Sequence, residues 1–308
     1  MNLKSAFFMA LVVLSSLGAS ASGTAIDCDA NKNKELLRIK QGETLFYKQI
    51  NFVSTTDISV QLEKRTEDGS KEIRNGVFFE KDSALYVLLP FQVNDVPGKY
   101  VLKVTERDSG KCLFEKQVVL VKNPFPVHRS RSWKKVEVSE KTQEKIDAEK
   151  SAIRASYLMN GAGGSWLNGF GLPIERNGTI GMVTHPFGEI RKGRGKNSKY
   201  VRIHFGVDLR APQGYPVKSI GDGVVVLVGE RYVAEGNLTV ISHGNDIFSL
   251  YLHQSSVDVK EGEKVLAGQV IGKVGETGAA FGPHLDLRIR VNGVFIDPIQ
   301  FIKTLHKN

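Results

Sequence analysis

The feature that most constrains the fold is a series of short β-type runs separated by turn residues. Within residues 28–122 the runs are apolar or alternating, and pairs such as Asp68-Gly69 and Pro97-Gly98 divide them. We predict strands at Leu36–Ile39, Leu45–Ile50, Ile58–Glu63, Gly76–Phe79, Ala84–Leu89, Lys99–Thr105 and Leu113–Val121. This density of strands is typical of a small immunoglobulin-like β-sandwich, although the segment lacks a Cys-Trp-Cys core.

A second series of strands occupies the C-terminal part of the chain, and no helix-length periodic segment interrupts it. We predict these strands at Gly223–Gly229, Leu238–Ser242, Phe248–His253, Lys264–Val274 and His284–Val291. Between the two series, Asn123–Val127 carries two prolines and is typical of a linker. The charged stretch from Ser139 to Met159 predicts a helix with Ser139 as its N-cap.

The chain of 308 residues is long enough for about two domains. We therefore predict an all-β protein with a sandwich at residues 28–122, a linker and helix at 123–160, and a second β domain at 161–308.

The N-terminus predicts a signal peptide covering residues 1–21. Lys4 precedes an apolar run from Ala6 to Leu17, and Ala19-Ser20-Ala21 supplies the small residues of a cleavage site. We expect a chain exported to the periplasm or the extracellular space, with no membrane insertion after cleavage. In such an oxidising compartment Cys28 and Cys112, the two cysteines, are expected to form a disulfide.

The net charge of +9, from 42 basic and 33 acidic residues, favours an anionic partner: nucleic acid, a membrane surface or a cell wall. Nucleic acid is not the expected partner, because the chain has no arginine-rich helix and no RNA-binding aromatic motif.

A set of histidines and aspartates in the second β domain predicts a metal site. His204 and Asp208 are four residues apart, which on a straight strand separates them by roughly 13 Å, too far for one ion. Gly206 permits the bend that would bring them together. His284 and Asp286 lie two apart, so on a strand both would face the same side.

The motifs around these residues resemble the lysostaphin/LytM-type zinc metallopeptidases, which cut the peptides of peptidoglycan. The resemblance covers about Gly181 to Ile302. It is carried by Thr184-His185-Pro186-Phe187-Gly188, His204 to Asp208, Gly221-Asp222-Gly223, Ser242-His243-Gly244, Tyr251-Leu252-His253, Gly275-Glu276-Thr277-Gly278, Gly282-Pro283-His284-Leu285 and Asp297-Pro298.

The resemblance implies a C-terminal antiparallel-β peptidase domain and assigns roles to five residues. His204 and Asp208 correspond to zinc ligands, and the last residue of a His-x-His motif, here Asp286, corresponds to the third. His253 and His284 correspond to histidines beside the metal that position or deprotonate the water. The fourth coordination place would hold that water.

Asp286 departs from the family pattern, because the motif reads His284-Leu285-Asp286. Asp286 binds zinc as a carboxylate ligand, or the site is lost and the protein is a pseudoenzyme, or the change was introduced artificially. Two carboxylates in the shell would reduce the Lewis acidity of Zn²⁺ and would suit harder metals such as Mn²⁺. We favour a working site, because the other four positions are intact.

Several neighbouring residues receive structural interpretations. We expect His243 to be structural, Tyr251 to be a core aromatic and His185 to lie near the cleft entrance. His128 falls in the linker, and the basic segment Arg191–Arg202 predicts a mobile loop on the cleft rim.

These interpretations lead to one functional hypothesis and one alternative. The hypothesis is an exported zinc metalloendopeptidase that hydrolyses peptide cross-links of peptidoglycan through metal-activated water and that has protein regulators as further partners. The alternative is a catalytically degenerate wall-binding protein or an activator of another wall hydrolase.

Overall fold

A computed structural model describes residues 36–50, 57–65, 71–81, 83–130, 138–159, 168–176, 179–194 and 199–306. The predicted signal peptide lies outside the described residues. Cys112 is disulfide-bonded, and Cys28, the partner that we expect for it, also lies outside them. None of the described helices has both the length and the hydropathy needed to cross a bilayer.

The N-terminal sandwich consists of two sheets around one apolar core. Its strands are β1 (Leu37–Lys40), β2 (Thr44–Ile50), β3 (Ile58–Arg65), β4 (Lys71–Asn75), β5 (Val77–Lys81), β6 (Ala84–Pro90), β7 (Gly98–Glu106) and β8 (Cys112–Val121). One sheet has the order β1-β8-β7-β3-β4 and the other has the order β2-β6-β5. The core between them is built from alternating residues such as Val60, Leu62, Val87, Leu102 and Val118. Each predicted strand is present, and the polar strand β4 is additional.

The predicted helix is present as α1 (Glu140–Ser156). Ser139 caps it, since its hydroxyl oxygen accepts a hydrogen bond from the Thr142 amide at 3.2 Å. The helix is mostly polar, but Ile153 packs with Leu238, Leu250 and Leu252 on one face of the C-terminal sheet.

The C-terminal domain is also built from strands. They are β9 (Val127–Ser130), β10 (Glu175–Arg176), β11 (Thr179–Ile180), β12 (Met182–His185), β13 (Ile190–Gly193), β14 (Val201–Ile203), β15 (Val207–Arg210), β16 (Pro216–Lys218), β17 (Gly223–Tyr232), β18 (Gly236–Gly244), β19 (Ile247–Gln254), β20 (Ser256–Val257), β21 (Lys264–Val265), β22 (Val270–Lys273), β23 (His284–Val291) and β24 (Val294–Ile296). The main sheet has the order β12-β15-β23-β19-β18-β17-β21, with β24 beside β23. The all-β prediction is therefore confirmed.

The two faces of the main sheet have different roles. Leu285, Leu287 and Ile289 alternate along β23 and enter the main core of the domain. Asp286 and Arg288 therefore point to the opposite face, which carries the candidate site and which α1 covers in part.

A second helix, α2 (Pro298–His306), corrects the expectation that no helix interrupts this region. Asp297 caps it, because its side chain accepts hydrogen bonds from the amides of Ile299 and Gln300 at 2.9 and 3.3 Å. The helix buries Phe301, Ile302 and Leu305. Its nine residues are too short for periodicity alone to reveal it.

The predicted linker does not run freely between the domains. Val127 begins β9, which pairs in parallel with β13, and the Phe125 ring packs against Phe187 with centroids 6.4 Å apart. The two domains also share packed surface, since Leu88 of β6 belongs to the core of the C-terminal domain.

The prediction that Arg191–Arg202 forms a mobile loop is wrong at both ends of the segment. Ile190–Gly193 and Val201–Ile203 are the paired strands β13 and β14, and residues 195–198 lie outside the described residues. The side chain of Arg191 points to buried carboxylates rather than to solvent.

Candidate metal centre

Two carboxylates lie opposite each other at the centre of the candidate site. Asp208 on β15 and Asp286 on β23 are register partners in an antiparallel pair, and both residues are buried. Like charges directly opposite each other on a sheet repel, and buried charges require a partner or a metal. The pair therefore needs positive charge beside it.

His204 reaches this pair because the chain bends before β15. Its Nε2 atom lies 3.0 Å from Asp208 Oδ1. Gly206 occupies the bend, where a β-carbon would collide with Asp286 Oδ1 and would come within 2.9 Å of the Leu287 carbonyl oxygen. Glycine is thus required here by the close approach of the neighbouring strand.

Two atoms of this group have no hydrogen-bond partner. His204 Nε2 and Asp208 Oδ1 are buried and make no hydrogen bond. Each of His204, Asp208 and Asp286 offers one ligand atom, and the three atoms lie within 4.8 Å of one another. A nitrogen and two carboxylate oxygens are ligands that zinc accepts. The donor set and its two unpaired atoms therefore fit a divalent cation.

Each aspartate also forms a salt bridge with an arginine. Arg191 Nη2 lies 2.7 Å from Asp208 Oδ2, and Arg288 Nη2 lies 2.7 Å from Asp286 Oδ2. The Arg288 Nε atom adds contacts of 3.1 Å to Oδ2 and 3.3 Å to Oδ1 of Asp286. Both guanidinium groups bind chiefly through Oδ2, so Asp208 Oδ1 is left facing His204.

The pKa values of both aspartates are lowered. Burial alone would raise the pKa of Asp208, but the close approach and charge of His204, followed by the charges of Arg191 and His284, lower it below its usual range. Burial likewise opposes ionisation of Asp286, and the charges of Arg288 and His204 outweigh it. Both groups are carboxylates at neutral pH, which is the form that binds a metal.

His253 and His284 lie beside this group with their ring centroids 4.9 Å apart. Nδ1 of His253 donates to the Thr277 carbonyl and Nδ1 of His284 donates to the Gly282 carbonyl, each at 2.8 Å. Because a carbonyl oxygen only accepts, each Nδ1 carries a proton, and in the neutral form of either ring Nε2 is an acceptor. Nε2 of His284 lies 3.8 Å from Asp208 Oδ1.

His253 reaches the site through an unusual backbone conformation. Strict alternation along β19 would place it on the core side with Tyr251. Its φ of 64° breaks the alternation and brings the ring beside His284. A non-glycine residue in this region is strained by about 1–2 kcal/mol, and such strain is often found at functional sites. Burial lowers the pKa of His253, so the ring is neutral at neutral pH.

Two nearby side chains have structural roles. The Tyr251 hydroxyl accepts a hydrogen bond from the Ile220 amide at 2.8 Å and is fully buried in the core. His243 contacts the Asp222 carbonyl and the Ser249 hydroxyl at 2.7 and 2.8 Å, and burial lowers its pKa to about 4. These contacts agree with the structural interpretation of both residues.

The two arginines were not predicted from the sequence as part of the site. A weak signal was available for Arg288, because residues two apart on a strand share a face and Asp286 precedes it by two. No such signal existed for Arg191, whose contact with Asp208 depends on how β12, β13 and β15 are arranged.

Comparison with known proteins finds a family match in this region. Residues 202–298 match Peptidase family M23. A 99-residue stretch is 43% identical to DD-carboxypeptidase/endopeptidase Mpg of Neisseria meningitidis, and it covers 32% of this chain and 23% of that protein. A 96-residue stretch is 47% identical to peptidoglycan DD-endopeptidase ShyA of Vibrio cholerae, and it covers 31% of this chain and 22% of that protein. The match thus spans less than a quarter of the length of these relatives.

A solved structure extends the similarity beyond this region at the level of fold. A crystal structure of a peptidase M23 protein from Pseudomonas aeruginosa aligns with 85% of this chain and 93% of its own, with a TM-score of 0.59 and 22% identity. Residues 202–298 therefore carry the match to Peptidase family M23, in agreement with the resemblance to lysostaphin/LytM-type peptidases in the sequence.

Proposed function

We propose that this protein is an exported zinc metalloendopeptidase that hydrolyses peptide cross-links of peptidoglycan. The observation that carries the proposal is the convergence of His204, Asp208 and Asp286, with a buried nitrogen and a buried oxygen that lack hydrogen-bond partners. The names of the relatives Mpg and ShyA support the substrate class.

His204, Asp208 and Asp286 would hold the ion through one nitrogen and two carboxylate oxygens. Zinc, when bound, supplies a Lewis acid that polarises a carbonyl and lowers the pKa of water. Arg191 and Arg288 each bind Oδ2 of one of the two carboxylates, which leaves the other oxygen of each to face the ion.

His253 and His284 would move the proton. Nε2 of one ring accepts a proton from the attacking water, and the resulting imidazolium donates it to the nitrogen of the leaving amine. The second ring, when it is protonated on both nitrogens, would donate from Nε2 to the negative charge that develops on the carbonyl oxygen. The lowered pKa of His253 suits the accepting role, because that ring starts neutral.

Two exposed aromatic side chains adjoin these groups in the sequence and would contact the peptide. Phe205 follows His204 and is 42% exposed, and Phe281 precedes Gly282 and is 81% exposed. The predicted signal peptide and the net charge of +9 support action on an anionic wall outside the cytoplasm.

Incubation of the purified full chain with sacculi and Zn²⁺ tests this function. We expect the wild-type chain to produce new free amines in the released muropeptides. The His204→Ala variant should bind one zinc ion fewer than the wild-type chain. Absence of new amines from a folded, zinc-loaded wild-type chain would reject the endopeptidase.

The degenerate wall-binding or activator role is favoured by one observation. Arg288 contacts both oxygens of Asp286, and a guanidinium there supplies the positive charge that a metal would otherwise supply. If the wild-type chain binds no metal at the candidate metal centre while Asp286→His gains both zinc and activity, this role is the correct one.

A further inference from the structure

A second group of metal-ligand side chains lies outside the candidate metal centre. His128 on β9, His185 on β12 and Glu189 before β13 offer ligand atoms that all lie within 4.8 Å of one another. We propose that these three residues bind a second divalent cation of the zinc class, which fastens β9 to the C-terminal domain.

The spacing of the donor atoms suits such an ion. Nδ1 of His185 lies 2.8 Å from Glu189 Oε2, and Nδ1 of His128 lies 3.4 Å from Glu189 Oε1. Neighbouring ligands of a tetrahedral zinc with bonds of about 2.0–2.1 Å are about 3.3 Å apart. The two imidazoles are stacked with centroids 5.4 Å apart and planes 15° from parallel, so both face the same carboxylate.

Burial and charge also agree with a cation that enters from solvent. The Glu189 side chain is 6% exposed, whereas His185 is 30% and His128 is 47% exposed. The carboxylate is therefore the inner ligand and the imidazoles form the open side of the site. Two histidines with one glutamate form a ligand set that zinc accepts while keeping a position for water.

Arg191 connects the two groups. Its Nε atom lies 3.1 Å from Glu189 Oε2 and its Nη2 atom lies 2.7 Å from Asp208 Oδ2. It thus orients the glutamate as an outer partner of the second site. The Oε1 atom of Glu189 faces His128 on the other side.

The three ligands come from three chain segments, and the strands around β13 bring these segments together. His128 pairs in register with Arg191 across the parallel β9–β13 contact, and His185 pairs with Asp208 of β15. An ion shared by these segments would hold the stretch that follows the N-terminal sandwich against the C-terminal domain. Its role is structural and does not depend on hydrolysis.

The test counts the zinc ions that stay bound to the full chain at neutral pH after gel filtration. Asp208→Asn removes the candidate metal centre, so the second site is read in that background. We expect His128→Ala to remove one zinc equivalent, both in the wild-type chain and in the Asp208→Asn background. Arg129→Ala is the matched control, because Arg129 is an exposed neighbour on β9 without a ligand atom, and it should retain all the zinc.

A second measurement follows the same site through stability. Zinc should raise the Tm of Asp208→Asn but not of Asp208→Asn/His128→Ala, and His185→Ala should weaken zinc binding at least 100-fold. An unchanged zinc count on His128→Ala would overturn the proposal. Failure of the endopeptidase function alone would leave the loss on His128→Ala intact, so the two failures are distinguishable.

Discussion

Replacing Arg288 with methionine should tighten zinc binding at the candidate metal centre. Arg288 Nη2 lies 2.7 Å from Asp286 Oδ2, so an ion on the other oxygen of that carboxylate would lie about 6 Å from the guanidinium. A divalent ion and a unit positive charge at about 6 Å repel by roughly 5 kcal/mol at an effective dielectric constant of about 20. We expect about half of this repulsion energy to appear as a more favourable free energy of zinc binding. The other half is lost because the freed carboxylate also binds a proton, which the ion must displace.

The expected gain of roughly 2.5 kcal/mol corresponds to an affinity about 100-fold higher. The metal-free variant should be less stable by about 3–5 kcal/mol, because Asp286 becomes a buried charge without its partner. Zinc should restore much of this stability, since it replaces the lost positive charge.

Isothermal titration of zinc and chemical unfolding with and without zinc measure both effects. Arg290→Met is the matched control, because Arg290 lies on the same face of β23 but pairs with Asp246 at 3.0 Å and stacks on Tyr157. Its zinc affinity should stay within about threefold of the wild type. Unchanged or weaker zinc binding by Arg288→Met would refute the assignment of Asp286 as a ligand.

Three further predictions concern single side chains. Gly206→Ala should remove the zinc of the candidate metal centre, because a β-carbon there collides with Asp286. Gly171→Ala should keep that zinc, since the atom nearest to its β-carbon would be 3.8 Å away; equal zinc content in the two variants would contradict this. His253→Ala should lower the hydrolysis rate about 10²–10⁴-fold with unchanged zinc content, as turnover and metal analysis will show. His243, with a pKa of about 4 against 6.5 when unfolded, contributes stability that is complete above pH 6.5 and is lost as the pH falls to 4. Denaturant unfolding should record a decrease of about 3 kcal/mol across that range, and no decrease would disprove it.

The strands and the first helix were predictable because their own residues carry the pattern that forms them. Alternating apolar residues gave the strands of both β domains, and Ser139 marked the start of α1. The bend at Gly206 was also predictable, because the spacing of His204 and Asp208 allowed a shared ion only if the chain turned there.

Features that depend on distant contacts were not predictable in the same way. The pairing of β9 with β13 depends on two segments more than 60 residues apart, and the prolines before β9 favoured a linker instead. The arginines beside Asp208 and Asp286 were missed because a basic side chain on a strand is usually solvated. In this fold they neutralise buried carboxylates.

The measurement that tests the central claim most directly is an anomalous diffraction map at the zinc edge from crystals soaked in Zn²⁺. The claim predicts one peak about 2.0–2.2 Å from His204 Nε2, Asp208 Oδ1 and one oxygen of Asp286. A map with no peak among these three atoms, in which Asp286 stays bound to Arg288, would contradict it.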